Sequence, residues 1–184
     1  MSRYEIMAKS ISRHTLLHCK QYGHNTSNAK TTRGITVGKR YASYSSQEVD
    51  IIYSSEENYK KYAKNLYITE GMGDIGVKEI EQIVKRHKKY TGIAPVVIID
   101  YLQILAPYNE RATDKQNTDK AVLELKRISR DFNTPVMAIS SFNRKSYDEV
   151  VTMGAFKESG AIEYSSDVLM GLQLEGSGNN ADVD

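Results

Sequence analysis

Apolar and polar positions along the chain fall into two regimes, an irregular first third and a regular remainder. The opening Ser2-Arg-Tyr-Glu5 has the Ser-x-x-Glu spacing of a capping box, so a helix is predicted from the first residues. Ile6, Met7, Ile11 and Leu17 are expected on its covered side. From residue 24 to about 57 periodicity is lost; residues 25–28 and 34–38 read as turns and 54–64 as a short polar helix. Beyond this the order becomes clear. Residues 66–69 read as a short strand, followed by a turn over 70–74. Residues 77–90 read as a helix with Val77, Ile80 and Val84 inward and a Glu81/Lys85 pair outward. Residues 95–100, Pro-Val-Val-Ile-Ile-Asp, form a continuous β-branched run, the pattern of a strand buried on both faces. A second amphipathic helix is predicted over 118–132, with Ala121, Leu125, Ile128 and Phe132 on one face. Residues 135–139 and 167–172 read as two more strands. Strands alternating with helices predict an α/β fold with βαβ crossovers and a parallel sheet.

Composition narrows the class without naming a function. A chain of 184 residues, 40% hydrophobic and with a formal charge of +2, suits one domain and argues neither for a nucleic-acid-coating basic protein nor for a disordered acidic one. The mean hydropathy is −0.52. The apolar run at 94–99 is too short to span a bilayer, and no charged start leads into a secretory apolar core. The single cysteine, Cys19, has no internal disulfide partner and fits a reducing, cytoplasmic setting. A chain that opens inside a helix is expected to be a piece of a longer protein, and the Gly/Asn/Asp-rich residues 176–184 are expected to form a flexible tail.

Candidate chemistry concentrates after the first long strand. In an open parallel sheet ligands bind beyond the carboxyl ends of the strands, and Asp100 ends the most apolar one. Such a carboxylate either holds Mg²⁺ through water, as a Walker B acid does, or simply ends a strand and caps the next turn. The Gly-x4-Gly-Lys-Ser/Thr phosphate cradle is missing: Gly34 to Lys39 has the wrong spacing, and Val77 follows Gly76 where lysine is needed. His14 and His18 stand one turn apart with Cys19 beside them; either they ligate a metal or they are surface histidines, and no second ligand cluster supports the metal. Ser140, Ser141 and Ser159 lack a neighbouring histidine base, which speaks against a serine hydrolase. Tyr41, Tyr44, Tyr53, Tyr59 and Tyr62 read as cover for a core edge, with base stacking as the alternative.

Five segments in one order carry a resemblance. These are Val97-Ile-Ile-Asp-Tyr-Leu-Gln-Ile-Leu105, Leu125-Lys-Arg-Ile-Ser129, Pro135-Val-Met-Ala-Ile-Ser-Ser-Phe-Asn-Arg144, Phe156-Lys-Glu-Ser-Gly-Ala-Ile-Glu163 and Asp167-Val168. Together they resemble the RecA-like motor domain of DnaB-type replicative helicases, strongly over about 66–172 and weakly over the first twenty residues. The resemblance implies a RecA-like three-layer core, with a mainly parallel twisted sheet flanked by helices. It places a partial ATPase domain at 1–175, with 1–65 the weakly matched part and 66–172 the core. It gives Asp100 the Mg²⁺-water role and sets Ser141 where the family has a γ-phosphate-sensing glutamine. It also implies single-stranded DNA contacts from Arg144 and Lys145, on a loop starting at Asn143, and from Lys157, Glu158 and Gly160. Lys157 keeps the charge of the family arginine but loses its bidentate fork. Arg111 and Lys115, in a polar loop, are weaker candidates, and all these bases otherwise read as solvated charge.

The same resemblance implies a parent enzyme: an ATP- and Mg²⁺-dependent homo-hexamer translocating on single-stranded DNA, with primase and a helicase loader as partners and no membrane. In the family the Walker A loop and catalytic glutamate lie upstream of the residue equivalent to Met1, and the arginine finger lies downstream. The chain by itself is therefore expected neither to bind nor to hydrolyse ATP. A RecA/RadA-type recombination or repair ATPase shares the Walker B strand, although the Glu158-to-Glu163 segment favours the helicase. A non-catalytic DNA-binding or assembly module of a mobile element is the alternative from another class.

Overall fold

The computed structural model describes residues 2–71, 73–141 and 160–172, and contacts divide the chain into two compact units, Met1–Glu70 and Gly71–Asp184.

The first unit is helical. Helix α1, Arg3–Tyr22, opens on the expected box: Ser2 Oγ accepts from the Glu5 N–H at 3.2 Å and the Glu5 carboxylate accepts from the Ser2 N–H at 2.8 Å. Gly23 closes it at φ 68, a left-handed conformation that favours glycine. Its covered face is Ala8, Ile11, Thr15 and Cys19 at i, i+3/i+4 spacing, whereas Leu17 is exposed. Sequence inspection missed this stripe because two of its four members, Thr15 and Cys19, are not strongly apolar. Thr15 is buried with its hydroxyl satisfied: it donates to Ser12 O at 2.7 Å and accepts from the Lys30 N–H at 2.8 Å.

Residue 30 then links α1 to the next long helix. The short helix α2, Thr32–Thr36, follows it, and a 3₁₀ turn, Gly38–Ser43, leads to helix α3, Ser46–Ala63. Helix α3 starts eight residues before the predicted polar helix at 54, behind a second capping box, Ser45 with Glu48. The Lys30 ammonium pairs with the Glu48 carboxylate and lies over the Tyr44 ring, 4.4 Å from its centroid. Tyr44 in turn donates to Gly34 O at 2.8 Å. Helix α3 buries Ile51, Ile52 and Ser55 and packs on α1. His14 reaches the Tyr62 hydroxyl at 3.1 Å, while the His18 ring meets Tyr22 and stacks on His24. The two histidines of the i, i+4 pair thus serve different neighbours. Burial lowers both their pKa values, helped by Arg13 and Lys61 at His14 and by His24 at His18.

The expected strand at 66–69 does not form. Asn65 and Leu66 donate their N–H groups back to Tyr62 and Ala63 at the end of α3, and Leu66 and Tyr67 are exposed.

The second unit is α/β. Helix α4, Val77–Thr91, matches its predicted span to one residue, with Ile80 and Val84 buried and Lys85 paired to Glu81 at 2.7 Å. Strand β1, Val97–Ile99, is followed by helix α5, Asp114–Phe132, and strand β2, Val136–Ala138. Helix α5 begins four residues earlier than predicted because Thr113 and Gln116 form a third capping box. The strands pair parallel, Val97 against Val136, Ile98 against Met137 and Ile99 against Ala138. Helix α6, Gly160–Ser165, packs on α5.

One core holds this unit. Ile80 and Val84 of α4, Ile99 of β1, Leu102, Leu125 and Ile128 of α5 and Ile162 of α6 form a single buried cluster. Val97, Val136 and Phe132 pack at its margin. Expectation and structure part over the sheet. Ile98 is 65% exposed and Met137 50%, so β1 is not buried on both faces; the described helices cover only the Val97/Ile99 side. The expected strand at 167–172 is also absent. Val168, Met170 and Leu172 are exposed and only Leu169 reaches the core, while Asp167 is tied to Lys126. The tail at 176–184 lies outside the described residues.

Two measurements test this packing. The Lys30 contact and the Ser45 cap hold the Glu48 carboxyl down at about 2, against an ordinary 4.5. A depressed carboxyl pKa contributes stability above pH 4.5 that is lost as pH falls toward 2. Glu48→Gln keeps the cap but removes the charge. It should lower the urea midpoint at pH 7, and the difference from wild type should vanish by about pH 2. Ile128→Ala, at a 2% exposed position, should destabilise by about 2–5 kcal/mol, whereas exposed Leu123→Ala should stay within about 0.5 kcal/mol in the same denaturation series.

Candidate functional site

The carboxyl ends of β1 and β2 are where the second unit's polar side chains gather. Two backbone bonds carry the pairing past the last register pair: Ile139 N–H donates to Ile99 O and Leu102 N–H donates to Ile139 O, each at 2.9 Å. Asp100 stands just past β1, exposed, at this edge, and its peptide bond to Tyr101 is cis. Leu102 turns into the core and anchors a 3₁₀ turn, Leu102–Ile104. That anchoring leaves Gln103 outward, where its amide donates to Ser140 Oγ at 2.9 Å, joining the segment after β1 to the segment after β2.

A cleft of about 640 Å³ opens beside this bridge. Gln103, Lys115, Asn117, Ser140, Ser141 and Ile162 contribute to its lining, so α5, α6 and the segments after both strands meet there. Lys115 lies on the first turn of α5, not in the polar loop expected from sequence. The loop before α5 is held by Asn117, which accepts from the Asn109 N–H at 2.9 Å and donates to Asn109 O at 3.0 Å. Arg111 belongs to that pinned loop, its N–H bonded to Asn109 Oδ1 at 3.0 Å. Next to it the Tyr108 ring has the Lys78 and Lys120 ammonium groups 5.0 and 5.2 Å from its centroid. Lys120 also bonds Glu124, which raises the lysine's pKa and lowers the glutamate's. Gly160 begins α6, and the Ala161 N–H faces the Asp119 carboxylate at 3.4 Å.

The structure thus gathers Ser141 and Lys115 at one cleft, with Gly160 opening the helix whose Ile162 lines it and Asp100 on the same edge of the sheet. Arg144, Lys145, Lys157 and Glu158 lie outside the described residues. Sequence reasoning overlooked Gln103 and Asn117. Gln103 sits in the quoted Asp-Tyr-Leu-Gln run, but its partner Ser140 is thirty-seven positions away. Asn117 looks like an ordinary polar residue until the loop eight positions earlier folds onto it. Among the described residues no three His, Cys, Asp or Glu side chains are grouped to hold a metal, and no helix is long and apolar enough to cross a membrane.

Comparison with known proteins identifies the family and the fold. The DnaB-like helicase C-terminal domain family matches residues 2–182. The replicative DNA helicase DnaC of Bacillus subtilis is 32% identical over 108 residues, 56% of this chain and 23% of that protein. The replicative DNA helicase DnaB of Leifsonia xyli is 31% identical over 100 residues, 53% of this chain and 22% of its own length. The chain therefore spans under a quarter of these curated relatives. Among solved structures, an isolated ATPase domain superposes with a TM-score of 0.73 at 19% identity, over 91% of this chain and 54% of that one. A DnaB-like replicative helicase, solved in a study of its interactions with primase, gives 0.72 at 19%, over 91% and 36%. The fold is that of RecA-like helicase ATPase domains. With the matched model spanning nearly the whole chain, this protein belongs to the DnaB-like helicase C-terminal domain family.

Proposed function

We propose that the chain is part of the motor of a replicative DNA helicase, supplying an acidic metal-water ligand and a single-strand-binding edge to an ATP-driven homo-hexamer. The observation that carries this reading is the polar edge itself. Asp100 and the bonded Gln103–Ser140 pair occupy the carboxyl end of a parallel sheet, beside the segment that leads to Asn143 and Arg144.

Each residue has a physical task in this reading. One exposed carboxylate suits Mg²⁺, which keeps most of its waters and takes one or two protein oxygens plus substrate phosphates. Asp100 would hold that ion, whose charge supports phosphoryl transfer from ATP when both are bound. No Gly-Lys-Ser/Thr cradle occurs in the 184 residues, so the phosphate grip that Asp100 would work with is not supplied by that motif here. Ser141 stands where the family has a glutamine. Its shorter hydroxyl reaches less far toward a γ-phosphate, which weakens the link between nucleotide state and the following loop. Arg144 and Lys145 on that loop, with Lys157 and the backbone at Gly160, would grip single-strand phosphates without reading sequence, and Glu158 would lie against the same strand. Primase and a helicase loader are the partners proposed for the intact protein. Interaction with primase in a solved relative supports the first.

Two experiments test these assignments. Arg144→Ala combined with Lys157→Ala should reduce affinity for a fluorescent dT oligonucleotide at least about tenfold and flatten the salt dependence by roughly 1.4, about 0.7 per phosphate contact. Unchanged affinity in anisotropy titrations overturns the loop assignment. Purified chain should release phosphate from ATP at the no-protein rate. Turnover that Asp100→Asn abolishes would show that a phosphate grip is present after all.

A further inference from the structure

The strongest unassigned feature lies at the opposite end of the sheet. Helix α4 closes at Gly92, in the left-handed conformation, and residues 92–96 lead into β1. Helix α5 closes at Asn133, likewise left-handed, and 133–135 lead into β2. Because the strands are parallel, both helix C-termini stand at the amino edge of the sheet, away from Asp100 and the cleft. The Thr134 hydroxyl donates to Pro95 O at 2.6 Å, clamping the two lead-ins together.

That edge is basic. Lys85-Arg-His-Lys-Lys89 ends α4, and no aspartate or glutamate occurs between Glu81 and Asp100. Favourable interaction with a helix C-terminus accounts for a base or two in the last turn. Here Lys88 and Lys89 occupy that turn, and Lys88 stands 5.7 Å from the Phe132 ring centroid. Lys85 is spoken for by Glu81. Arg86 lies earlier, and neither it nor Lys89 makes an ion pair among the described residues. Arg130, exposed on the last turn of α5, is offset by Asp131 at 3.8 Å, so the surplus charge of this edge comes from α4. Beside these cations, Tyr90 is 79% exposed and Ile93 72%. Cations flanking exposed flat and apolar side chains suit a strand whose bases are unstacked, because phosphates and bases are then engaged together. An acidic peptide would use the charge and leave Tyr90 idle.

We infer that the C-terminal end of α4, with Arg86, Lys89 and Tyr90 at its centre, is a second single-stranded nucleic-acid contact at the amino edge of the sheet. Arg86 and Lys89 hold phosphates and Tyr90 stacks a base. It lies at the sheet edge opposite Asp100 and stands whether or not Arg144 and Lys157 bind.

Anisotropy titrations with a fluorescent dT oligonucleotide between 50 and 200 mM salt test it, with circular dichroism to check folding. Arg86→Glu with Lys89→Glu should lower affinity at least about tenfold at low salt and reduce the salt slope by roughly 1.4. Tyr90→Ala should lower affinity about five- to a hundredfold with the slope unchanged, since stacking releases no counterions. Photo-crosslinking with a 5-iodouracil oligonucleotide should label the peptide containing Tyr90. The inference is overturned if the double reversal leaves affinity and slope intact, or if crosslinks fall only within 143–157. Poly-glutamate competing as well as the oligonucleotide would also overturn it, by assigning the surface to an acidic protein partner.

Discussion

The parallel register of Val97 with Val136 and Ile99 with Ala138 governs where the described candidate residues of the second unit stand. Parallel strands need a crossover, and α5 supplies it by laying Leu125 and Ile128 against Ile99 and against Ile80 and Val84 of α4. With that packing in place, both chain segments leave the sheet in the same direction. Asp100, Gln103 and Ser140 then share one edge, while the ends of α4 and α5 share the other. Slippage by one residue would turn Ile99 outward and Ile98 inward, so burial of a single isoleucine defends the register.

The two edges are built differently. At the carboxyl edge the anchors are specific hydrogen bonds: Gln103 to Ser140 across the strands and Asn117 to the loop at Asn109. They hold the polypeptide where a water-bound ion and a nucleic-acid strand would need fixed partners. At the amino edge the Thr134 hydroxyl bonds Pro95 O, and of the cations on α4 only Arg86 and Lys89 are left without an ion pair or ring contact among the described residues. That arrangement suits contact with a charged polymer better than it suits chemistry. The Ile98 and Met137 face of the sheet carries no helical layer among the described residues.

The first unit shows how local signals and long-range ones combine. Capping boxes at Ser2 and Ser45 start α1 and α3. What joins them is residue 30, whose backbone is held by Ser12 and Thr15 and whose ammonium meets Glu48. Glu48 thereby both caps its own helix and closes the contact to α1, so one carboxylate links a local rule to a tertiary one.

The α/β class, the start of α1, the span of α4, the inward faces of α4 and α5 and the position of Asp100 were all legible in the chain, because short-range periodicity and caps express local physics. The strand at 66–69 was misread because the Leu66 N–H is spent on the turn ending α3, and that at 167–172 because, among the described residues, only β1 and β2 form a ladder. The start of α3 was legible in Ser45 and Glu48 but hidden by the lack of an apolar stripe. Tertiary structure alone decided that Gln103 finds Ser140, that Asn117 pins Asn109, that Thr15 and Cys19 replace Leu17 in the core, and that β1 is covered on one face. Each depends on what lies across from a residue in space, and a single sequence carries no direct record of its distant neighbours.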